Sequence, residues 1–365
     1  MAAQRYDYLD IAKGFGILAV VWAHILLVGW SHQLCYAFHM PLFFLISGML
    51  FQKDKYPSFW GFIKKRTRRL FVPYILYSIA TWAMWVVFRV YRGDVVESYC
   101  MPLLQTLIAQ GSGAYIVHNS ALWFIPCLFA VEIMYFFVAK LKDWVAIAIS
   151  FAIAALSFLF GNIYGDNWWF LLPWNFDAAM IALSFYCVGH ILVKNISHEK
   201  MVNKVKANKW GVLVTWAVSF LLLVRLTMDY GVCSMGSSSY GCEGWIFMIR
   251  AFVGCSSMLL FSLLLSVSWK NGKAYQKMMD GIKWLGKNSL DVMCTHIPIK
   301  GVFVIMVAAL WKVSLDTVSS TISLASVVFV ATILVVVIIT MLVNYIFRNK
   351  TRVNFRKKRN EYPHF

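Results

Sequence analysis

The sequence predicts an all-α integral membrane protein, a bundle of about ten transmembrane helices with both termini in the cytoplasm. Three observations predict it. The 365-residue chain is 61% hydrophobic and only 14% charged, with a mean hydropathy of +0.67. A soluble globular protein carries roughly 25% charged and about 45–50% apolar residues, so the solvent of this chain is lipid. Next, ten runs are apolar and long enough to approach the roughly 20 residues that cross a hydrocarbon core about 30 Å thick. Finally, Lys and Arg alternate from loop to loop as topology demands.

The ten spans are 14–31, 33–51, 70–90, 120–139, 144–160, 173–193, 210–227, 245–268, 289–311 and 322–347. The first follows a basic N-terminus but outruns the roughly 7–15-residue apolar region of a signal peptide, and no small-x-small cleavage site follows it, so it reads as an anchor. The second carries Pro41, which frees a backbone carbonyl and is tolerated in lipid only where protein or a cavity covers the break. Its Ser47-Gly48 pair admits close approach of another backbone. The third follows Lys64-Lys65-Arg66-Thr67-Arg68-Arg69, and the fifth is short. Asn175 and Asp177 open the sixth. The seventh and eighth enclose a loop with Cys233 and Cys242, which are open to a disulfide in an oxidising compartment or to two free thiols. The spans form one domain, 1–347. Residues 348–365 are a basic cytoplasmic tail suited to lipid headgroups.

With the N-terminus inside, the cytoplasmic segments hold 28 of the 34 Lys and Arg, the outer loops only Arg92 and Lys312, and the spans Arg89, Arg225, Arg250 and Lys300. That asymmetry leaves little room for the inverted orientation. It also explains the net charge of +18 without nucleic acid. The cysteines show no metal-binding spacing, and no metal is expected.

Ionisable groups inside spans cost at least about 2.5–3.5 kcal/mol on insertion scales, so each is a functional hypothesis. Lys13 and His24 lie eleven residues apart, within about 20° of one helical face and roughly 16 Å along the axis. Asp10 is placed to pair with Lys13 at i−3. One stripe thus carries a cation at the cytoplasmic mouth and an imidazole near mid-membrane. A neutral imidazole in a low-dielectric tunnel suits general-base work on an alcohol, although a lone histidine also serves as a hydrogen-bond partner between helices. Arg66 and Arg69, one turn apart, offer guanidinium forks to a phosphate-bearing donor. The alternative for this basic run is plain topogenic charge. In the ninth span Ser289 and His296 share a face, with Lys300 one turn further on. Asn175, Asp177, Arg225 and Arg250 approach the outer side, where an acceptor would enter. Glu132 and His190 read as structural.

The blocks Tyr8-Leu9-Asp10-Ile11-Ala12-Lys13-Gly14, His24 and Phe38-His39-Met40-Pro41-Leu42-Phe43-Phe44 with Ser47-Gly48 resemble the membrane-bound acyltransferase-3 family, in particular its fucose 4-O-acetylase-like branch. Arg66–Arg69 before Leu70-Phe71-Val72-Pro73, Leu122-Trp123-Phe124 and Leu285-Gly286-Lys287-Asn288-Ser289-Leu290 with His296 continue the match in order. The resemblance implies ten transmembrane helices in a bacterial inner (cytoplasmic) membrane. It implies transfer of an acyl group, commonly acetyl, from cytoplasmic acyl-CoA to an extracytoplasmic carbohydrate, glycolipid or related acceptor. It makes His24 the catalytic base, with Asp10 and Lys13 on the same helix in the catalytic set, and gives Arg66, Arg69 and Lys13 to the CoA end. His39, Ser47, Trp123, Asn175, Asp177, Ser289 and His296 are then acceptor or site-lining residues, and Ser289 and His39 are candidates to stabilise the oxyanion. Acetyl-CoA would be a co-substrate, with no resident cofactor. The chain departs from the family at Lys13, where many members have Arg; a lysine keeps the charge and loses the planar fork. The rival reading is a small-molecule transporter built on the same intramembrane polar residues. It expects internal symmetry between halves, which the sequence lacks.

Overall fold

The computed structural model describes residues 6–55, 58–109, 116–164, 172–240, 243–267 and 272–361. Fourteen α-helices account for nearly all of these, and the described residues contain no strand. They are α1 (Asp7–Ile25), α2 (Trp30–Met49), α3 (Phe59–Arg92), α4 (Met101–Ile108), α5 (Phe124–Val138), α6 (Asp143–Tyr164), α7 (Phe176–Asn195), α8 (His198–Ala207), α9 (Lys209–Tyr230), α10 (Gly244–Val267), α11 (Lys273–Lys287), α12 (Ser289–Trp311), α13 (Leu315–Ser320) and α14 (Ile322–Glu361). In lipid every backbone polar group must find its partner within the protein, and a helix does this locally.

Nine helical segments among the described residues are long and apolar enough to cross a membrane. Packed together they make a multi-pass membrane bundle. The remaining expected span is α2, 20 residues long. It falls short on apolarity because His32, Tyr36 and His39 interrupt it, and His32 and His39 are buried in the bundle. Helices α1, α2, α5 and α7 form the interior, buried over much of their length. Helices α3, α6, α9 and α14 line the outside and turn apolar side chains such as Leu76, Leu159, Leu221 and Leu334 outward, as lipid requires.

Several boundaries differ from the expected ones, each for a local reason. The first span begins at Asp7 and ends at Ile25 rather than running from 14 to 31. Leu26 turns extended, and Gly29 at φ +88° starts the next helix, a backbone region that glycine enters without steric cost. The third span starts eleven residues early, at Phe59, because Ser58 caps it by accepting from the Gly61 amide at 3.2 Å. The basic run 64–69 is therefore helical and continuous with the span. The backbone of the tail continues α14 as far as Glu361.

Where α2 crosses α7 the backbones nearly touch. A Cβ on Gly48 would overlap the Tyr186 carbonyl, and one on Gly189 would overlap the Leu45 carbonyl. Two polar helices, α8 and α11, escape a reading based on apolar runs. Helix α11 lies antiparallel along α1, with Lys283 pairing Asp7 at 3.3 Å, so Lys273–Lys287 is a packed element of the fold.

Candidate functional site

A helix leaves its last four carbonyls without intrahelical partners. At the C-terminal end of α1 three successive carbonyls are satisfied, the first by the ladder's own last rung and the next two by side chains from other helices. The Trp22 carbonyl accepts from the Leu26 amide, the Ala23 carbonyl from His32 Nδ1 at 3.0 Å, and the His24 carbonyl from Lys300 Nζ. His32 Nδ1 also reaches the Leu26 carbonyl at 2.7 Å. Side chains from α2 and α12 thus grip the backbone on both sides of His24.

The His24 ring faces that of His296 on α12, with centroids 5.2 Å apart and planes tilted by 42°. Tyr36 stands beside it at 6.2 Å and packs against His32 at 4.5 Å and His39 at 5.0 Å. His39 Nδ1 lies 2.6 Å from the Cys35 carbonyl, and His296 Nδ1 lies 2.8 Å from the Met293 carbonyl. Only an N–H satisfies a carbonyl, so these contacts place the proton on Nδ1 and leave Nε2 with its lone pair. His296 Nε2 is buried and has no partner among the described residues.

Pro298 explains how α12 is held here. Its missing N–H leaves the Cys294 carbonyl, four residues back, without a helical donor. Asn119 Nδ2 supplies one at 2.6 Å. The neighbouring His118 is buried too, and burial pushes its ring down to about 4.

The remaining expected residues are placed as follows in the fold. Asn175 Nδ2 donates to the Gly236 carbonyl at 2.8 Å, Ser238 donates to the Asp177 carboxylate, and the Trp123 ring lies against Gly236. Loop 231–240 therefore gathers Trp123, Asn175 and Asp177. The same loop reaches the histidine cluster, because Cys233 Sγ lies 3.4 Å from the Tyr36 carbonyl. Cys242 lies outside the described residues. Asp10 and Lys13 pair at 2.8 Å, toward the opposite end of α1 from His24. Ser289 is the first residue of α12, about 10 Å along the axis from His296. Arg66 is buried and paired with Glu132 at 3.1 Å, whereas Arg69 is exposed. Ser47 sits near the end of α2 remote from His32. On the surface Arg225 pairs with Asp229 at 2.9 Å.

The structure thus brings His24, His39 and His296 together and adds His32, Tyr36 and Lys300. His32 fell in the gap between the first two expected spans. Residues 32, 36 and 39 stand at i, i+4 and i+7, one face of a helix, and that spacing was the available signal. Comparison with curated proteins and with solved structures gives no match. Residues 6–341 match the model of the acyltransferase domain of the acyltransferase-3 type; the chain belongs to that family.

Proposed function

We propose that the chain transfers an acyl group, acetyl in the first instance, from cytoplasmic acyl-CoA to a hydroxyl of an extracytoplasmic carbohydrate, glycolipid or related acceptor. In this reading both termini lie in the cytoplasm, which the Lys and Arg asymmetry supports, and the membrane is a bacterial inner membrane, which the family resemblance suggests. The single observation that carries it is the His24–His296 pair, set at a capped helix end within a family of acyltransferases.

In the proposed reaction His24 accepts the proton of the acceptor hydroxyl as its oxygen attacks the thioester carbonyl. The tetrahedral intermediate collapses, the C–S bond breaks, and the CoA thiolate recovers the proton from the imidazolium. Arg69, exposed one turn after Arg66, offers its fork to the CoA phosphates, with Lys13 and the Glu132-paired Arg66 adding positive field at that end. Asp10 keeps Lys13 in place. On the acceptor side, Trp123, Asn175 and Asp177 together with loop 231–240 provide an aromatic face and polar groups suited to a sugar.

The test is release of free CoA from radiolabelled acetyl-CoA by purified protein, with water as the slow acceptor. Wild type should release CoA, and His24→Ala should lose at least about 100-fold. Equal rates for the two would remove His24 as the base. Saturable CoA binding that survives Arg66→Ala and Arg69→Ala would remove the donor site.

A further inference from the structure

Arg250, on α10, is completely buried. A guanidinium inside a bundle in lipid is costly unless paired, yet no carboxylate lies within ion-pair distance of it among the described residues. Its Nη1 donates to the Gly231 carbonyl at 2.8 Å, while Nε and Nη2 are buried without a partner among the described residues. These two nitrogens lie on one edge of the guanidinium, the edge that grips an oxyanion with two parallel hydrogen bonds. Gly231, at φ +66°, ends α9 and holds the group in one orientation.

The surroundings place Arg250 near the candidate site. Gly254 is one turn further along the same face of α10, and a Cβ there would come within 2.5 Å of Phe38 on α2. The face that carries Arg250 therefore packs on α2, the helix of His32, Tyr36 and His39. Two residues beyond Gly231, Cys233 touches the Tyr36 carbonyl. Arg225, by contrast, is spent on a surface pair with Asp229.

We infer that Arg250 is the binding site for an oxyanion, a carboxylate or phosphate, carried by the acceptor. The free Nε–Nη2 edge takes two of its oxygens, and the acceptor is thereby an anionic saccharide or a phosphate-linked one. Assigning the anion to the acceptor rests on the acyl-transfer reading. Oxyanion binding does not, and it is measured with no acyl donor present, so either can fail alone.

The experiment is thermal unfolding of the full chain in phosphatidylcholine nanodiscs. It is titrated with glucuronate or inorganic phosphate, with glucose as the neutral control. A parallel set of discs contains phosphatidic acid. Wild type should show a saturable rise in Tm of about 2–4 °C with an anion and none with glucose. Arg250→Gln should keep its fold and its anion-free Tm while losing the rise. Arg250→Lys, charged but without the fork, should need at least about tenfold more anion. A rise with soluble anions identifies a water-soluble source, and a rise only in phosphatidic acid discs identifies a lipid phosphate. No rise in wild type, a rise retained in Arg250→Gln, or collapse of Arg250→Gln under every condition would each overturn the inference, the last by making the arginine a structural strut.

Discussion

The rings of His24 and His296 face each other at 5.2 Å across the α1–α12 contact, and the second ring presents a buried Nε2 with no partner among the described residues. Two groups that act as one unit give non-additive losses on removal. His296→Ala is therefore expected to lower acyl transfer by about 100-fold or more, and the double variant with His24→Ala to be little worse than the worse single. Independent, multiplying losses in the double variant would separate the two residues. The readout is kcat for CoA release, with Tm confirming that each variant is folded.

Lys300 reaches the site through backbone, donating to the His24 carbonyl. Lys300→Met leaves the His24 carbonyl without its donor, and an orphaned buried carbonyl costs about 1–3 kcal/mol. The last turn of α1 should fray and carry the His24 ring with it. The expected result is a lower kcat with an unchanged acetyl-CoA KM, and partial recovery in Lys300→Arg, whose guanidinium still donates. A change confined to KM would instead place Lys300 at the donor.

The bundle was legible in the sequence because lipid leaves little choice: apolar length predicts spans, and the Lys and Arg asymmetry orders them. His24 and His296 were legible because an ionisable group in such a span stands out. What apolarity cannot reveal is polar packing. Helix α11 was missed because its partner is α1 and not lipid, and His32 because α1 stops at Ile25 and moves the next helix three residues earlier than its apolar run. The Arg66–Glu132 pair joins residues 66 positions apart, and no local pattern announces such a partner.

Asn119 offers a test in which one substitution should repair another. Its amide satisfies the Cys294 carbonyl at 2.6 Å only because Pro298 has no N–H to give. Asn119→Leu should lower stability by about 1–3 kcal/mol and loosen α12 two residues from His296. Pro298→Ala restores the helical donor, so the same Asn119→Leu change should cost measurably less in that background. A double-mutant cycle on unfolding midpoints reads the coupling. Strict additivity would show that the carbonyl is satisfied some other way.

The pH dependence of stability should be traceable at His198, at the start of α8. Its Nδ1 accepts from the Tyr8 hydroxyl at 2.6 Å, and Tyr6 stacks on the ring with centroids 3.7 Å apart, so this histidine ties α8 to the beginning of α1. Burial lowers its pKa from the ordinary 6.5, opposed by a hydrogen bond to the Met49 backbone. A histidine whose folded pKa is depressed binds its proton more readily when unfolded. Its contribution to stability is therefore complete above about pH 6.5 and declines as the pH falls through 6.5 toward the folded value. Protonation would bury a charge and remove the acceptor that Tyr8 needs. His198→Asn keeps an acceptor near the Nδ1 position and cannot titrate. Between about pH 7.5 and pH 5.5 its Tm should therefore fall less than that of wild type, the other buried histidines contributing equally to both. Parallel Tm curves would mean that α8 is held to α1 by the ring stacking alone, with no share for the proton.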